Sequence, residues 1–290
     1  MTRLFVFGIG YTARVFARRK LAEGWQVHGT TRGEDKAKAL RGEGFDISLF
    51  SGNERADDVC DELRRATHLL VSIGPGEEGD PVLACHGDEI AAAPDLDWIG
   101  YLSTVGVYGD HAGAWVGEDS APNPKSKRSV LRLQAENDWL ALGRTSGKAV
   151  HVFRLAGIYG PRRGPLENVL RGKARRIVKP GQVFNRIHVD DIATVLEASV
   201  ARPRAGGIYN VADDEPAPPQ DVVEHACKLT GVDLPPEVAF EDADLSPMGR
   251  SFYGENKRVS NRLIKEELGV TLAYPTYREG MAGLAASAKR

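Results

Sequence analysis

The sequence is poor in cysteine and in long apolar runs. Its 290 residues include only three cysteines, Cys60, Cys85 and Cys227, which are widely spaced and show no metal-ligand pairing. This usage predicts a reduced, cytoplasmic protein with no metal site. No apolar run approaches the ~20 residues of a membrane span, and residues 1–3 lead straight into a predicted strand. We therefore expect neither a membrane segment nor a cleaved signal peptide.

The sequence also lacks a strong charge of either sign. Its formal net charge is -2, with 27% charged residues. This balance gives no basis for a nucleic-acid partner or an anionic membrane surface. The length suits one large α/β domain with an appended lobe. The expected partner is a small-molecule substrate, and a homo-oligomer is compatible with the sequence.

The N-terminus carries the first motif. Leu4-Phe5-Val6-Phe7 predicts a buried parallel strand, two glycines follow it, and helical apolar spacing begins at Ala13. A strand, a glycine turn and a helix N-terminus can hold a pyrophosphate on free backbone N–H groups. The alternative is an ordinary glycine turn with no role in binding. The candidate cofactor-binding residues of this motif are Gly8, Gly10, Tyr11, Thr12 and Ala13.

The end of the second predicted strand bears on the choice of cofactor. Residues 25–32 form this strand, which ends in Thr31 and Arg32. An acid at this place binds the free 2′-hydroxyl of NAD, whereas an arginine accommodates the 2′-phosphate of NADP. Arg32 therefore favours NADP over NAD, against the alternative of a solvated surface arginine.

Another predicted strand, residues 68–73, stops at Gly74-Pro75-Gly76. In open α/β sheets the cofactor lies outside the carboxyl ends of the strands. Ser72 and Ile73 are therefore candidate cofactor-lining residues. Further strands are predicted at 45–50, 98–102, 150–155 and 208–211, and helices at 57–65, 81–93, 190–201, 222–230 and 261–268.

Four ordered segments carry a resemblance to a known family. They are Ser103-Thr104-Val105-Gly106-Val107-Tyr108-Gly109, Phe153–Pro161, Arg186–Ala193 and Tyr209–Pro216. Their order and spacing resemble the short-chain dehydrogenase/reductase superfamily, in its extended and atypical branches related to nucleotide-sugar epimerases and dehydratases. The resemblance implies a Rossmann-type, doubly wound parallel sheet of about seven strands. It also implies a dinucleotide-binding domain (1–161 plus 186–215) and a small C-terminal substrate lobe (162–185 plus 216–290).

The resemblance implies a catalytic set, and part of that set is missing. In the family, a tyrosine transfers the proton, a lysine four residues on lowers its pKa, and an upstream hydroxyl holds the reacting oxygen. Thr104 matches the hydroxyl, with Ser103 beside it. If Glu136 aligns with a family acid, Arg128 replaces the tyrosine and Arg132 the lysine. Arg132 is a candidate cofactor contact, but an arginine stays charged and cannot donate the proton. The resemblance also implies cofactor contacts at Ala156, Gly157 and Ile158.

The loop after the catalytic strand offers substitutes for the missing tyrosine. It contains Tyr108, Asp110 and His111, and histidine titrates near neutrality. These three are candidate catalytic residues. The alternative is that Asp110 and His111 make turn hydrogen bonds and that Tyr108 is structural.

Three arginines, Arg162, Arg163 and Arg186, suggest an anionic substrate or a nucleotide sugar, because guanidinium groups bind phosphates and carboxylates with paired hydrogen bonds. Salt bridges are the alternative. His188 fits a structural histidine better than a catalytic one.

Two classes of function remain open. One is an NADP-dependent oxidoreductase, epimerase or dehydratase with a rearranged acid/base set. The other is a non-catalytic NADP-binding sensor or regulatory module.

Overall fold

The computed structural model describes residues 2–288. The strands of this part of the chain are β1 (Arg3–Phe7), β2 (Gln26–Thr31), β3 (Asp46–Leu49), β4 (His68–Val71), β5 (Trp98–Thr104), β6 (Trp115–Val116), β7 (Val150–Leu155), β8 (Gly157–Tyr159), β9 (Arg176–Val178), β10 (Arg186–His188), β11 (Gly207–Val211), β12 (Glu237–Ala239) and β13 (Arg258–Val259). The α-helices are α1 (Tyr11–Ala22), α2 (Glu34–Arg41), α3 (Asp57–Leu63), α4 (Pro81–Ala92), α5 (Lys127–Ser146), α6 (Pro165–Leu170), α7 (Val189–Ala201), α8 (Pro219–Thr230), α9 (Pro247–Phe252), α10 (Arg262–Glu266) and α11 (Tyr277–Ala288).

A seven-stranded sheet forms the centre of the fold, in the order β11-β7-β5-β4-β1-β2-β3. β1 pairs in parallel with both β2 and β4, so the first strand lies inside the sheet. β2 pairs in parallel with β3, and β4 with β5. This confirms the predicted Rossmann-type fold. The strand order reverses between β1 and β4, and ligands of such sheets bind outside the carboxyl ends of the strands at that switch point.

The apolar runs of the sequence explain why the central strands form. Residues 4–7 of β1 are all buried, as are residues 98–103 of β5. Strands buried on both faces read as continuous apolar runs, since helices cover both sides of a parallel sheet. Helix ends also follow local signals: α8 ends at Gly231, which takes the left-handed conformation at φ 71°.

The chain divides into two compact units. The first runs up to Thr104 and includes Val130–Arg154 and Ala193–Tyr209, whereas the second comprises Val105–Ser129, Leu155–Ile192 and the chain from Asn210 onward. In the first unit, an apolar core lies between the sheet and helices α3, α4 and α5. The predicted assignment of 1–161 plus 186–215 and 162–185 plus 216–290 to a cofactor domain and a substrate lobe stays a prediction.

The second unit contains three short parallel pairs, β8 with β10, β9 with β12 and β6 with β13. Its main apolar cluster joins residues of α6, α8 and α11. None of the helices within residues 2–288 is both long and apolar enough to cross a membrane.

Candidate functional site

The glycine cradle, residues Gly8–Ala13, connects β1 to α1 in the first unit. Gly8 has φ +83°, and a Cβ there would lie 2.8 Å from Cγ1 of Ile73, so this position requires glycine. A Cβ on Gly10 would meet only the carbonyl oxygen of Gly8, at 3.9 Å. Packing within the protein therefore does not require glycine at position 10. The open space fits a ligand that approaches the backbone there.

Helix α1 begins at the cradle without a side-chain cap. Its N-cap is Gly10, which has no side chain to accept a hydrogen bond from the first turn. Tyr11 and Thr12 form the first turn, and Ala13 is fully buried. Backbone N–H groups at a helix start, together with the helix dipole, favour an anion. The cradle thus has the features needed to hold a pyrophosphate.

A cavity of about 610 Å³ opens beside the cradle. It lies at the carboxyl ends of β1, β2 and β4. Its lining residues include Gly8, Gly10, Thr31, Arg32, Lys36, Asn53, Ser72, Ile73, Glu77 and Glu78. The structure therefore brings the predicted candidates from three strand ends together around one cavity. They are Gly8 and Gly10 after β1, Thr31 and Arg32 at β2, and Ser72 and Ile73 after β4.

Two cations stand on the β2 side of this cavity. Arg32 and Lys36 are both exposed, and both line it. Sequence reasoning missed Lys36, although its place one helical turn after Arg32 was a usable signal. The end of β2 thus presents two positive groups to a ligand.

Arg132 of α5 reaches the ends of β4 and β5. Its Nη1 donates hydrogen bonds to the Tyr101 hydroxyl (3.1 Å) and to the carbonyl of Leu102 (2.8 Å). A Cβ at Gly74 would lie 2.7 Å from Nη2 of Arg132, so the glycine after β4 makes room for the guanidinium. Burial raises the pKa of Tyr101, so this hydroxyl stays protonated beside Arg132. The positive charge therefore lies at the carboxyl edge of the sheet.

Arg128 has different surroundings from Arg132. It is exposed, and its guanidinium lies 5.3 Å from the centre of the Phe252 ring in the second unit. Helix α5 contains no tyrosine, so the predicted alignment, with Arg128 and Arg132 at the positions of the family pair, stays a prediction.

Ser103 belongs to a buried polar network in the first unit. Its hydroxyl donates to Oε1 of Glu136, and Arg154 Nη2 donates to Oε2 of the same carboxylate at 2.8 Å. Glu136 is 1% exposed and Arg154 3%. A buried ion pair needs such additional hydrogen bonds to offset its desolvation. The Ser103 hydroxyl is thus engaged by Glu136, whereas Thr104, one residue later, ends β5 in a half-buried position.

The 108–119 loop, residues 108 to 119, lies in the second unit and is held by the segment 255–260. Lys257 Nζ donates to the carbonyl of Gly109 at 2.7 Å, and β6 pairs with β13. Tyr108 is fully buried, and its hydroxyl donates to Oδ1 of Asn210 at 2.8 Å. These contacts fix the loop backbone and give Tyr108 a structural environment.

Asp110 accepts hydrogen bonds from the backbone of the same segment. Its Oδ1 accepts from the N–H groups of Asn256 (2.8 Å) and Ala112 (3.1 Å). These bonds, the Asn256 bond first, lower the pKa of Asp110, so the group is ionised at neutral pH. It can accept a proton there but has none to donate.

His111 is partly buried and lies against Tyr108. Its Nε2 is 3.1 Å from the carbonyl oxygen of Tyr108, so Nε2 carries a proton and donates it to this bond. This leaves Nδ1 as the acceptor atom of the neutral ring.

The three predicted substrate arginines have different environments in the second unit. Arg162 and Arg163 are exposed, and Arg162 adopts φ +60°. Arg186 is 8% exposed and donates to the carbonyls of Phe184 and Ala217. Its guanidinium lies 5.9 Å from the ring centre of Tyr277. The structure thus separates one buried arginine from two surface ones.

The second family-like segment, Phe153–Pro161, begins in β7 and continues through β8. Ala156 donates its N–H to the carbonyl of Val211 at 3.0 Å, and Gly157–Tyr159 form β8. The predicted cofactor residues Ala156, Gly157 and Ile158 therefore lie in the second unit, apart in sequence from the cradle. Their role stays a prediction.

His188 ends β10 in a structural setting. It is 1% exposed, packs against the rings of Tyr159 and Tyr274, and its Nδ1 accepts the backbone N–H of Asp190 at 3.2 Å. Helix α7 starts at Val189, one residue before the predicted start, so Asp190 lies in its first turn.

Comparisons with known proteins agree with this architecture. A functionally unknown conserved protein from Silicibacter pomeroyi DSS is 53% identical, with a TM-score of 0.91 and full coverage of both chains. The Escherichia coli protein YeeZ is 29% identical over 95% of this chain and 97% of its own. The dTDP-glucose 4,6-dehydratase of Bacillus anthracis, solved in complex with NAD, has a TM-score of 0.79 at 17% identity, covering 100% of this chain and 97% of its own. No family model matches the chain.

The sheet order, the glycine cradle and these likenesses agree with the predicted resemblance. The structural neighbours are NAD-dependent epimerase/dehydratases, which supports the predicted resemblance to the extended short-chain dehydrogenase/reductase family.

Proposed function

We propose that this chain is an NADP-binding oxidoreductase, or a nucleotide-sugar epimerase/dehydratase-like enzyme, with a non-standard acid/base set. The observation that carries the proposal is the 610 Å³ cavity between the glycine cradle and the cations of the β2 end. The residues around it fit a dinucleotide. Gly10 leaves room for the backbone to approach a pyrophosphate, and Arg32 and Lys36 would contact a 2′-phosphate.

The preference for NADP rests on the end of β2. The B. anthracis dehydratase was solved with NAD, so a nicotinamide dinucleotide is compatible with this fold. In this chain, however, Thr31 and Arg32 stand where an acid would bind a free 2′-hydroxyl. A charge-assisted bond to a phosphate contributes about 1.5–3 kcal/mol, which is enough to select between the two cofactors.

When bound, the cofactor would supply hydride exchange at its nicotinamide. Arg132 would place a fixed positive charge at the edge formed by β4 and β5, where the family lysine binds the nicotinamide ribose. Thr104 would hold the reacting oxygen of the substrate. Ser103 would orient the strand end through Glu136 and is less suited to substrate contact.

Proton transfer would fall to the 108–119 loop. Because Asp110 is ionised and bonded to two backbone N–H groups, it would serve only as a base. His111 is then the candidate proton carrier of the loop, because the bond to the Tyr108 carbonyl uses only Nε2 and an imidazole can take up and give a proton at Nδ1. Tyr108 would hold the loop in place through the hydrogen bond from its hydroxyl to Asn210.

The substrate class follows from charge. Arg162 and Arg163 are exposed and would meet an anionic group, such as the phosphate of a nucleotide sugar. Arg186 is buried and would instead stabilise the second unit.

A second function is supported by a specific observation. Both positions of the tyrosine–lysine pair hold arginine, and Ser103 and Asp110 are engaged in internal hydrogen bonds. A non-catalytic NADP-dependent sensor would keep the cradle and lose the acid/base set in this way.

Calorimetry with NADP and NAD tests the cofactor proposal. The wild type is expected to bind NADP more tightly, and Arg32→Ala to lose about 10–150-fold in NADP affinity with NAD affinity unchanged. Arg41→Ala is the matched control, because Arg41 lies at the end of α2, the helix that follows Arg32, and pairs with Glu34. Equal affinity of the wild type for both cofactors contradicts the proposal.

A screen of sugar nucleotides and small carbonyl compounds for NADPH oxidation separates the two functions. Turnover supports the enzyme. Tight NADP binding without turnover of any compound supports the sensor.

A further inference from the structure

Three metal-ligating side chains meet between α3 and α4, in the first unit. They are Cys60 of α3 and His86 and Glu89 of α4. One ligand atom of each lies within 4.8 Å of the other two. The Sγ of Cys60 is 3.6 Å from Nδ1 of His86. The proposed function uses none of these groups.

The local sequence explains how the three side chains meet. His86 and Glu89 are three residues apart, which places them on one face of α4. Cys60 lies on the buried face of α3, with Val59 and Leu63 beside it. Cys60 is 1% exposed and His86 0%, whereas the Glu89 side chain is 18% exposed. The carboxylate therefore forms the side of the cluster nearest to solvent.

The geometry fits a tetrahedral cation site. Zinc binds sulfur at about 2.3 Å and nitrogen at about 2.0–2.1 Å, so the two ligand atoms of a tetrahedral site lie about 3.6 Å apart. The observed separation of Sγ and Nδ1 has this value. Cysteine, histidine and a carboxylate together are a donor set that suits Zn²⁺ among the common divalent ions.

The imidazole of His86 has a defined orientation. With Nδ1 directed at Cys60, the ring proton is on Nε2, and Nε2 is buried without a hydrogen-bond partner among the described residues. The rings of Phe7 and Phe50 enclose the imidazole at 5.7 and 5.2 Å. An unpaired buried N–H is destabilising. The ring is held in place by this aromatic packing, with Nδ1 as the atom that faces Cys60.

Arg55 lies beside the cluster, on its Glu89 side. Arg55 pairs with Oε1 of Glu89 and with Asp57, so its positive charge is shared between two carboxylates. The pair with Oε1 orients the Glu89 carboxylate, in the way that outer partners of metal ligands do.

We propose that Cys60, His86 and Glu89 form a site for a divalent transition-metal ion of the zinc type, with a water molecule as fourth ligand. The ion comes from solution, bonds form from Sγ, Nδ1 and a carboxylate oxygen, and the thiol proton is released to the solvent. Because the ligands come from two helices, the ion links α3 to α4.

The test uses the full chain treated with a chelator and then titrated with Co²⁺. We expect one ion per chain and a sulfur-to-cobalt charge-transfer band, because such a band requires a thiolate ligand. Adding Zn²⁺ should abolish the band by displacement, and Zn²⁺ should raise the melting temperature in proportion to the logarithm of its concentration. Absence of stoichiometric uptake by the wild type overturns the proposal.

Variants locate the site. Cys60→Ser should lose the band, whereas Cys85→Ser should keep it, because the Cys85 thiol donates to the carbonyl of Gly52. Loss of an outer partner alone costs about 10–100-fold in metal affinity, so Glu89→Gln, which removes a ligand, should cost at least about 100-fold. Circular dichroism checks the fold of each variant. An unchanged band in Cys60→Ser, or unchanged affinity in Glu89→Gln, overturns the assignment. If Cys60→Ser does not fold, the charge-transfer band of the wild type and the metal affinity of Glu89→Gln test the proposal instead.

Discussion

The glycine cradle and the 108–119 loop differ in how their polar groups are used. In the cradle, the helix start has no side-chain cap, Gly10 has open space above it, and two cations line the adjoining cavity. In the loop, Tyr108, Asp110 and the carbonyl of Gly109 are all engaged by partners within the second unit. The cradle therefore has the features of a preorganised binding site. The polar groups of the loop mainly hold its structure, so few of them are available for catalysis.

This difference separates the two parts of a family site, which are the dinucleotide-binding part and the proton-transfer part. Dinucleotide binding depends on backbone geometry, and the backbone of the cradle keeps that geometry. Proton transfer depends on particular side chains, and Arg128 and Arg132 stand at the positions of the family tyrosine and lysine if Glu136 aligns with the family acid. Four experiments test the contrast between the two regions.

The largest expected effect is on the chemistry of the loop. Once a substrate is found, His111→Gln should lower turnover by about 10²–10⁴-fold, the usual contribution of a general acid, with NADP affinity unchanged. Thr104→Ala should lower turnover while also leaving NADP affinity in place. Steady-state kinetics and calorimetry measure the two effects. Full turnover in Thr104→Ala, Asp110→Asn and His111→Gln would show that the catalytic set lies elsewhere.

The next effect is on the cradle. Gly10→Asp puts a carboxylate where the pyrophosphate would lie, and like charges in contact cost several kcal/mol. We expect NADP affinity to fall by at least about 100-fold. The fold should persist, because Gly10 has φ -95° and room for a Cβ. Gly87→Asp, which adds the same charge on α4, should bind NADP normally, and equal binding by both variants would contradict the cradle assignment.

A smaller effect is expected at Arg132. Arg132→Ala removes one charged contact at the edge of the sheet and should weaken NADP by roughly 10–150-fold, because hydrogen bonds to charged groups contribute about 1.5–3 kcal/mol. Arg132→Lys should recover part of the affinity, since it restores the charge but not the guanidinium geometry. Calorimetry decides, and unchanged affinity in Arg132→Ala would place the nicotinamide ribose away from this residue.

The smallest effect concerns the stability of the second unit. Burial raises the pKa of Asp213 to about 8, and its Oδ2 has no hydrogen-bond partner within residues 2–288. The folded state therefore binds more protons than the unfolded state between about pH 4 and pH 8, so this group makes stability fall as the pH rises through that range. From pH 6 to pH 8 its contribution should fall by about 2 kcal/mol. Urea unfolding at both pH values should show a smaller fall for Asp213→Asn, and equal falls would contradict the prediction.

Prediction from the sequence succeeded where the signal was local. The central strands, the glycine turn and the stop of β4 at Gly74 follow from apolar runs and glycines a few residues apart. The cavity beside Arg32 could also be expected, because the carboxyl ends of parallel strands share one edge of the sheet.

Prediction was weaker where partners are distant in sequence. Ser103 was expected to be catalytic, but nothing near it indicates that Glu136, thirty-three residues later, accepts its hydroxyl. Asp110 offered a carboxylate in a loop, and its Asn256 partner lies 146 residues away. The three cysteines showed no ligand spacing, yet α3 packs on α4 and brings Cys60 to His86.

The sequence by itself determined the class of the fold, the strand–glycine–helix cradle and the positive end of β2, because each depends on neighbouring residues and on backbone preferences. Only the tertiary structure decided which polar groups remain for a ligand. Packing joined Glu136 to Ser103 and Arg154, and Asp110 to Asn256, and a buried polar group must take whichever partner the fold brings to it.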